Sequence, residues 1–238
     1  MNERYFIRVT WGPRQESLEV CTARAEALLR CMAHCDPTFT QWFDKGRSRG
    51  DALKRPITDA AALKKRFSQH RTDVGRKVTK ELGFTLGIWN GEKDDESVSL
   101  LVSCGIYSTA VSNVCSLTLP AAGPARDRIL CAPVLTEIIE CMVDAWDPDD
   151  GLVGSHQYGD LRSDYAYGSP GIGWLIYISH RLGTVPPLLA PSTITRLGNK
   201  GSLITVTPDL FTASNHAHVE AADRVAAALK RAGLLKLE

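Results

Sequence analysis

The most constraining feature of this sequence is a change of hydrophobic period near its N-terminus. From Tyr5 to Trp11 apolar residues alternate with mostly polar ones, which is the period of a half-buried β-strand. After Gly12 and Pro13, apolar residues recur every three or four positions as far as Cys35, which predicts a helix with one buried stripe. A one-sided strand followed by a one-sided helix favours a fold in which helices are layered on a sheet.

The ends of this helix and the turn before it have local signals. Ser17 is the predicted N-cap, because its hydroxyl can accept a hydrogen bond from a free first-turn amide. Asp36 precedes Pro37 and is therefore pushed out of the helical region, which ends the helix. The turn Trp11–Arg14 is a poor phosphate cradle, because Pro13 lacks an N–H group and one glycine is present. We interpret this turn as architectural.

The rest of the chain continues as short strands and helices. Strands are predicted at 84–89, 98–104, 115–119, 174–178 and 203–207, the first three as an antiparallel meander. Helices are predicted at about 59–69, 72–82, 130–146 and from Ser214 or Asn215 to Gly233, with a loop at about 147–170. This order predicts an α+β fold: a single domain over residues 1–238, with a mostly antiparallel sheet and packed helices.

The overall charge and hydropathy exclude several classes of protein. The 238-residue chain has a net charge of +1, so no global field draws it to nucleic acid or to a membrane surface. Its apolar runs are shorter than the ~18 residues that a membrane span needs. Met1 to Arg4 lead into a strand without the apolar region of a signal peptide. We therefore expect a cytoplasmic protein with no membrane partner and no direct nucleic-acid partner.

The cysteines favour the same compartment. There are seven, an odd number without C-x-x-C spacing: Cys21, Cys31, Cys35, Cys104, Cys115, Cys131 and Cys141. Most fall on predicted apolar faces, where free cysteine behaves as a small apolar residue. The sequence therefore predicts reduced cysteines in the core, as expected in a reducing compartment.

The spacing of reactive residues does not match a catalytic or cofactor site. The glycine-rich stretch 168–174 leads into a strand, whereas a phosphate loop needs a helix N-terminus after it. His216 and His218 are two positions apart, so on a helix they point in different directions and cannot share a metal. Asp149 and Asp150 are adjacent in a predicted loop, where a solvated turn is the simpler interpretation. The sequence therefore predicts no catalytic residue, no cofactor and no metal.

Charge is segregated along the chain. Residues 44–80 hold twelve Lys and Arg against four Asp, whereas 137–164 hold eight Asp and Glu against Arg162. An acidic segment with tyrosines is typical of a contact surface for a basic partner. The candidate contact residues are Asp147, Asp149, Asp150, Tyr158, Asp160, Asp164 and Tyr165. The alternatives are that the two charged blocks pair with each other or face solvent.

Several short motifs, in their order along the chain, resemble one known family. These motifs are Trp11-Gly12-Pro13-Arg14, Lys45-Gly46-Arg47-Ser48-Arg49, Leu82-Gly83-Phe84, Gly87-Ile88-Trp89-Asn90-Gly91, Trp146-Asp147-Pro148-Asp149, Gly171-Ile172-Gly173-Trp174, Thr207-Pro208 and Phe211-Thr212-Ala213-Ser214-Asn215. Over nearly the whole chain this pattern is similar to the immunity protein 52 family of polymorphic toxin systems.

The resemblance implies an inhibitor and not an enzyme. Members of such a family bind a cognate toxin, here a restriction-endonuclease-like nuclease delivered by a type VI secretion system or a related system, inside the cell that makes it. The resemblance brings no catalytic residues with it and leaves the oligomeric state open. The alternative is a hydrolase or a nucleic-acid-modifying enzyme that uses the basic 44–80 face.

Overall fold

The computed structural model describes residues 3–69, 73–74, 77–161 and 171–235. The strands in these ranges are β1 (Tyr5–Trp11), β2 (Phe43–Asp44), β3 (Asp73–Val74), β4 (Lys77–Val78), β5 (Phe84–Trp89), β6 (Ser99–Cys104), β7 (Asn113–Thr118), β8 (Asp150–Ser155), β9 (Leu175–Ser179), β10 (Thr193–Leu197) and β11 (Gly201–Thr205). The helices are α1 (Leu18–Cys35), α2 (Arg49–Ala52), α3 (Ala60–Gln69), α4 (Gly123–Ile129), α5 (Ala132–Trp146), α6 (His156–Leu161) and α7 (His216–Arg231).

Nine of these strands form one antiparallel sheet in the order β10-β11-β9-β8-β1-β7-β6-β5-β2. The sequence-adjacent strands β5, β6 and β7 are neighbours, which confirms the predicted meander. β3 and β4 form a separate small hairpin. The fold is therefore a single-domain α+β fold with a mostly antiparallel sheet, as the sequence predicts.

The first strand and helix follow their sequence patterns closely. In β1, Tyr5, Ile7 and Val9 are fully buried, whereas the intervening residues are partly exposed. In α1 the predicted stripe is buried from Cys21 to Met32 and half-buried at its ends, and the Ser17 hydroxyl accepts a hydrogen bond from the Val20 amide at 3.3 Å. Both elements therefore form where local periodicity and capping predict them.

Helices α1 and α5 pack against each other, and a disulfide between Cys31 and Cys141 joins them, with their Cα atoms 5.7 Å apart. The prediction of seven reduced cysteines is therefore wrong for these two. Cys21, Cys104 and Cys115 are free and buried, as predicted. The pairing joins positions 110 residues apart and depends on how the helices pack, which spacing in the sequence does not show.

Large aromatic side chains pack into the core at the ends of strands and helices, next to turns. Trp11 at the end of β1 stacks on Trp146 at the end of α5, with ring centroids 5.3 Å apart. Trp174 is 1% exposed, and its indole N–H donates to the Thr207 carbonyl at 2.8 Å. These tryptophans therefore serve the fold, whereas Trp89 is only partly buried.

The predicted loop at 147–170 is wrong for its first part. Residues 150–155 form β8, which is buried along its length and pairs with β1 and β9 near the centre of the sheet. Gly151 and Gly154 leave room for β1, since a Cβ on either would lie 2.7 Å from a Val9 or Phe6 side-chain atom. A glycine-containing strand buried on both sides lacks the alternation that marks a half-buried strand.

The remaining differences concern short elements. The predicted helix at 72–82 is wrong where the structure describes it, since β3, β4 and a 3₁₀ turn at Lys80–Leu82 occupy this stretch. Helix α3 matches the predicted helix at 59–69. The predicted elements do not include β2, α2, α4, α6 or β10, and α6 lies inside the predicted loop at about 147–170. Short elements carry too few residues for a periodic signal, and their partners in the fold decide their conformation.

Candidate partner interface

The C-terminal end of α5 forms a charged corner. Asp147 follows the helix with φ of 46°, in the left-handed region, and its amide donates to the Val143 carbonyl at 2.9 Å. The side chains of Arg14, Arg24 and Arg181 donate to the last carbonyls of this helix and its cap, at 2.6, 2.6 and 2.9 Å. Cations suit this position, because helix C-terminal carbonyls carry partial negative charge.

Arg181 also holds the two acidic side chains of this corner. Its guanidinium pairs with Asp147 at 2.9 Å and with Asp149 at 3.1 Å. Asp149 in turn accepts a hydrogen bond from the Gly12 amide at 2.9 Å. The Asp147 and Asp149 side chains remain 45% and 31% exposed, so a partner can still reach their oxygens.

The turn Trp11–Arg14 is built into the same corner. The Gly12 carbonyl accepts from the Asn113 side-chain amide at 2.7 Å, and the Arg14 amide donates to the Ile106 carbonyl at 2.7 Å. The Arg14 guanidinium lies 5.3 Å from the Trp11 ring centroid, in cation–π geometry. These contacts agree with the interpretation of this turn as architectural.

The predicted contact residues do not all lie together. Asp150 and Tyr158 are 7% and 1% exposed, so both belong to the interior. The Asp150 carboxylate accepts from the Thr10 hydroxyl at 2.8 Å, and burial raises the pKa of Asp150 to about 6. The Tyr158 ring packs edge-on against Phe211 with centroids 5.1 Å apart.

The remaining members are separated along the chain. Asp160 is exposed on α6. Because α6 follows β8 directly, the whole six-residue strand lies between Asp149 and the start of α6. At about 3.3 Å per residue, that separation is roughly 20 Å. Asp164 and Tyr165 lie outside the described residues. Of the predicted set, Asp147 and Asp149 form a half-buried cluster that partners can reach, and Asp160 lies elsewhere.

The predicted contact set leaves out three residues of the acidic segment that extend this cluster. Glu137, Glu140 and Asp144 are exposed on α5 at spacings of three and four, so they share one helix face that leads to the corner. Burial, together with Asp144 and Glu137, raises the pKa of Glu140. We name the surface made by Glu137, Glu140, Asp144, Asp147 and Asp149 the acidic ridge. The helical spacing of its first three members is a signal that the sequence contains.

The acidic ridge forms its ion pairs outside the basic stretch. Asp144 pairs with Lys200 at 2.6 Å, and Asp147 and Asp149 pair with Arg181. Within the basic stretch, Arg66 pairs with Asp44 and Lys64 pairs with Glu19. At these residues, therefore, the acidic and basic blocks do not pair with each other.

Metal-binding and membrane-spanning features are absent from the described ranges. In residues 3–69, 73–74, 77–161 and 171–235, no three His, Cys, Asp or Glu side chains are grouped as metal ligands. No helix in the same ranges is long and apolar enough to cross a membrane. The His218 ring instead accepts from the Thr212 amide at 3.1 Å, which ties α7 to the preceding loop.

The architecture is an antiparallel sheet layered with helices, with an acidic ridge on its surface. The family model of immunity protein 52 matches residues 3–238, and the chain belongs to this family. Among solved structures, the chain is similar to the T6SS protein PA0821 of Pseudomonas aeruginosa, with a TM-score of 0.56 and 10% identity over 96% of this chain and 76% of that chain. This second likeness concerns the fold alone. A comparison with curated proteins finds no significant match.

Proposed function

We propose that this protein is an immunity protein that binds and neutralises a cognate nuclease toxin of restriction-endonuclease type, delivered by a type VI secretion system or a related polymorphic toxin system. The observation that carries this proposal is the match to the immunity protein 52 family over residues 3–238. On this proposal the chain is one toxin-binding domain that acts by stoichiometric binding, without catalysis and without a cofactor.

Charge supports a nuclease as the partner. A nuclease holds a polyanion, so its substrate cleft is expected to be basic. The acidic ridge offers exposed carboxylates on α5 and at its C-terminal corner. Complementary charge of this kind mainly raises the association rate and the specificity of a complex.

The proposed function is tested by titration of the toxin. The candidate toxin is the product of the neighbouring reading frame. It is purified, and its cleavage of plasmid DNA is followed as the immunity protein is added. We expect cleavage to stop at one equivalent, with no turnover by the immunity protein on DNA, RNA, esters or peptides. Full cleavage at a tenfold excess, or turnover that a single His or Cys substitution removes, would overturn the proposal.

The predicted contact residues are tested by charge removal. We propose that Asp147, Asp149, Asp160, Asp164 and Tyr165 contact the toxin, whereas Asp150 and Tyr158 support this surface from the interior. Asp147→Asn and Asp160→Asn are each expected to slow association severalfold and to weaken its salt dependence.

Asp127→Asn is the matched control, because Asp127 is an exposed carboxylate on α4 with its side chain 78% exposed. Association rates are measured by stopped flow at two salt concentrations, together with melting temperatures. Unchanged association rates with a lowered melting temperature would assign Asp147 to the internal Arg181 network alone.

We further propose that the toxin is bound in the cytoplasm of the producing cell. In the cytosol, where disulfides are rare, both thiols are expected to be reduced, whereas the Cys31–Cys141 disulfide would persist in an oxidising compartment. Thiol trapping in intact cells distinguishes the two. Alkylation of Cys31 and Cys141 before reduction is expected for a cytoplasmic protein, and their protection would place the protein outside the cytoplasm.

A further inference from the structure

One end of the large sheet is an open edge. β10 ends the strand order, and among the described residues no strand pairs with its outer side. At the opposite end, β2 has two residues and Phe43 also pairs with Pro56, so that edge is short and partly covered. The five-residue β10 is therefore the longer exposed edge of this sheet.

The outward backbone groups of β10 can be assigned from its pairing. The Leu197 carbonyl accepts from the Lys200 amide at 3.0 Å, so the backbone of Leu197 points toward the turn and β11. Backbone polar groups alternate in direction along an antiparallel strand. Thr193 and Thr195 therefore bond to β11, whereas the N–H and C=O groups of Ile194 and Arg196 point to the open edge.

The side chains near this edge do little to prevent another strand from pairing with β10. Natural edge strands are commonly blunted by lysine, proline, bulges or a covering segment. β10 reads Thr-Ile-Thr-Arg-Leu, which is rich in residues that favour strands. Ile194 is 39% exposed, and Leu189, in the connection that leads into β10, is 75% exposed. The edge therefore combines free backbone groups with accessible apolar surface.

The open edge lies beside the acidic ridge. A cleft of about 260 Å³ runs between α5 and the β10–β11 hairpin, and Glu140, Asp144, Arg196 and Lys200 are among its lining residues. Lys200 pairs with Asp144, while Glu140 adds exposed negative charge to the α5 side of this cleft, and Glu137 lies three residues before it on α5. An extended segment placed along β10 therefore meets carboxylates on one flank.

We propose that β10 receives an extended segment of the toxin as an additional strand, with basic side chains of this segment directed toward the acidic ridge. This inference rests on the proposed function. Strand addition of this kind takes its affinity from main-chain hydrogen bonds and its selectivity from the flanking side chains. The charge of the ridge selects a basic segment over a neutral or acidic one.

Arg196→Pro tests the main-chain contact, with Arg196→Ala as its matched control. Proline removes the outward N–H group of residue 196, whereas alanine removes the same side chain and keeps this donor. We expect Arg196→Pro to weaken toxin binding about tenfold relative to Arg196→Ala, the effect of one or two main-chain hydrogen bonds. Dissociation constants are measured by calorimetry, and melting temperatures show whether both variants fold.

Amide hydrogen exchange of the unmodified protein gives a second test that needs no folded variant. The amides of Ile194 and Arg196 are expected to exchange rapidly in the free protein and slowly in the toxin complex. Stoichiometric toxin binding with unchanged exchange at both amides would overturn the strand addition and leave the proposed function standing. If the wild-type protein does not bind the toxin, the proposed function itself fails.

The oligomeric state of the free protein separates the toxin from a second copy as occupant. We expect a monomer by light scattering at micromolar concentration. A dimer in which the Ile194 and Arg196 amides are protected, and which Arg196→Pro dissociates, would assign the edge to a second copy of this chain and overturn the proposal.

Discussion

At the scale of single residues, Asp150 shows how position changes the role of a side chain. Its carboxylate lies in β8 near the centre of the sheet, where it is 7% exposed and bonded to the Thr10 hydroxyl. Burial disfavours the charged form and raises the pKa of Asp150 from 3.8 to about 6. The ionised side chain therefore opposes folding at neutral pH.

This shift predicts a pH-dependent effect of Asp150→Asn on stability. Between about pH 4 and 6 the folded protein holds a proton that the unfolded chain has lost, so the contribution of Asp150 to stability falls as pH rises. At pH 7.5, Asp150→Asn is expected to be more stable than wild type by roughly 3 kcal/mol, because the pKa of Asp150 rises by about two units and each corresponds to about 1.4 kcal/mol. At pH 4 the two should differ little.

Urea unfolding at pH 4 and pH 7.5 measures this difference, with Asp127→Asn as the exposed control. A stability difference between Asp150→Asn and wild type that is the same at both pH values would show that the ionisation of Asp150 does not oppose folding.

At the scale of elements, α1 and α5 pack against each other in the core and are joined by a disulfide. Cys31 and Cys35 lie four residues apart on α1, so both face α5. Cys31 is bonded to Cys141, and the Cys35 sulfur lies 3.8 Å from the Cys141 sulfur. Two cysteines on α1 are therefore within reach of one cysteine on α5.

This arrangement predicts that Cys35 can replace Cys31. When Cys31→Ser is oxidised with glutathione disulfide, we expect a Cys35–Cys141 bond, identified by mass spectrometry of the unreduced peptides. Burial, with Glu137 nearby, raises the pKa of Cys35 to about 11, so bond formation should accelerate as pH rises because the thiolate is the reactive form.

Two further variants serve as controls for this prediction. The double variant Cys31→Ser, Cys35→Ser should form no bond to Cys141. Cys141→Ser, which removes the link altogether, is expected to lose about 3–5 kcal/mol of stability, since the bond closes a loop of about one hundred residues. A Cys31→Ser protein that stays fully reduced at pH 9 would contradict the replacement by Cys35.

At the scale of the whole molecule, charge is separated although the net charge is +1. The basic stretch supplies β2, α2 and α3, and β2 closes one end of the nine-stranded sheet. The acidic ridge lies on α5, between its C-terminal corner beside the central strand β1 and the β10–β11 hairpin toward the other end of the sheet. The two surfaces can therefore act independently.

This separation predicts that the basic stretch is dispensable for toxin binding. Replacement of the exposed Lys45, Lys54 and Lys65 by Gln should leave inhibition unchanged, because these residues lie away from the ridge. Replacement of Glu137 and Glu140 by Gln, with Asp144→Asn, should slow toxin association and flatten its salt dependence.

DNA binding by the same variants separates the inhibitor from the alternative enzyme. At physiological salt, we expect wild-type affinity for DNA no better than the non-specific range of about 10⁻⁴–10⁻⁶ M. Loss of toxin inhibition in the lysine variant would instead place the toxin on the basic face.

Much of the fold could be predicted from the sequence, because the relevant signals are local. The alternation in Tyr5–Trp11, the Ser17 cap and the 3-4 spacing of α1 depend on residues close together in the chain, and the structure has all three. The charge of the acidic segment and the helical spacing of Glu137 and Glu140 are likewise properties of the sequence alone.

Tertiary structure decided which of these residues are available to a partner. β8 carries no alternating pattern because both of its faces are covered, so Asp150 is buried where a solvated turn is predicted. The Cys31–Cys141 bond and the pairing of Arg181 with Asp147 each join residues far apart in the chain. Burial and long-range pairing depend on which elements meet, and local periodicity holds no information about that meeting.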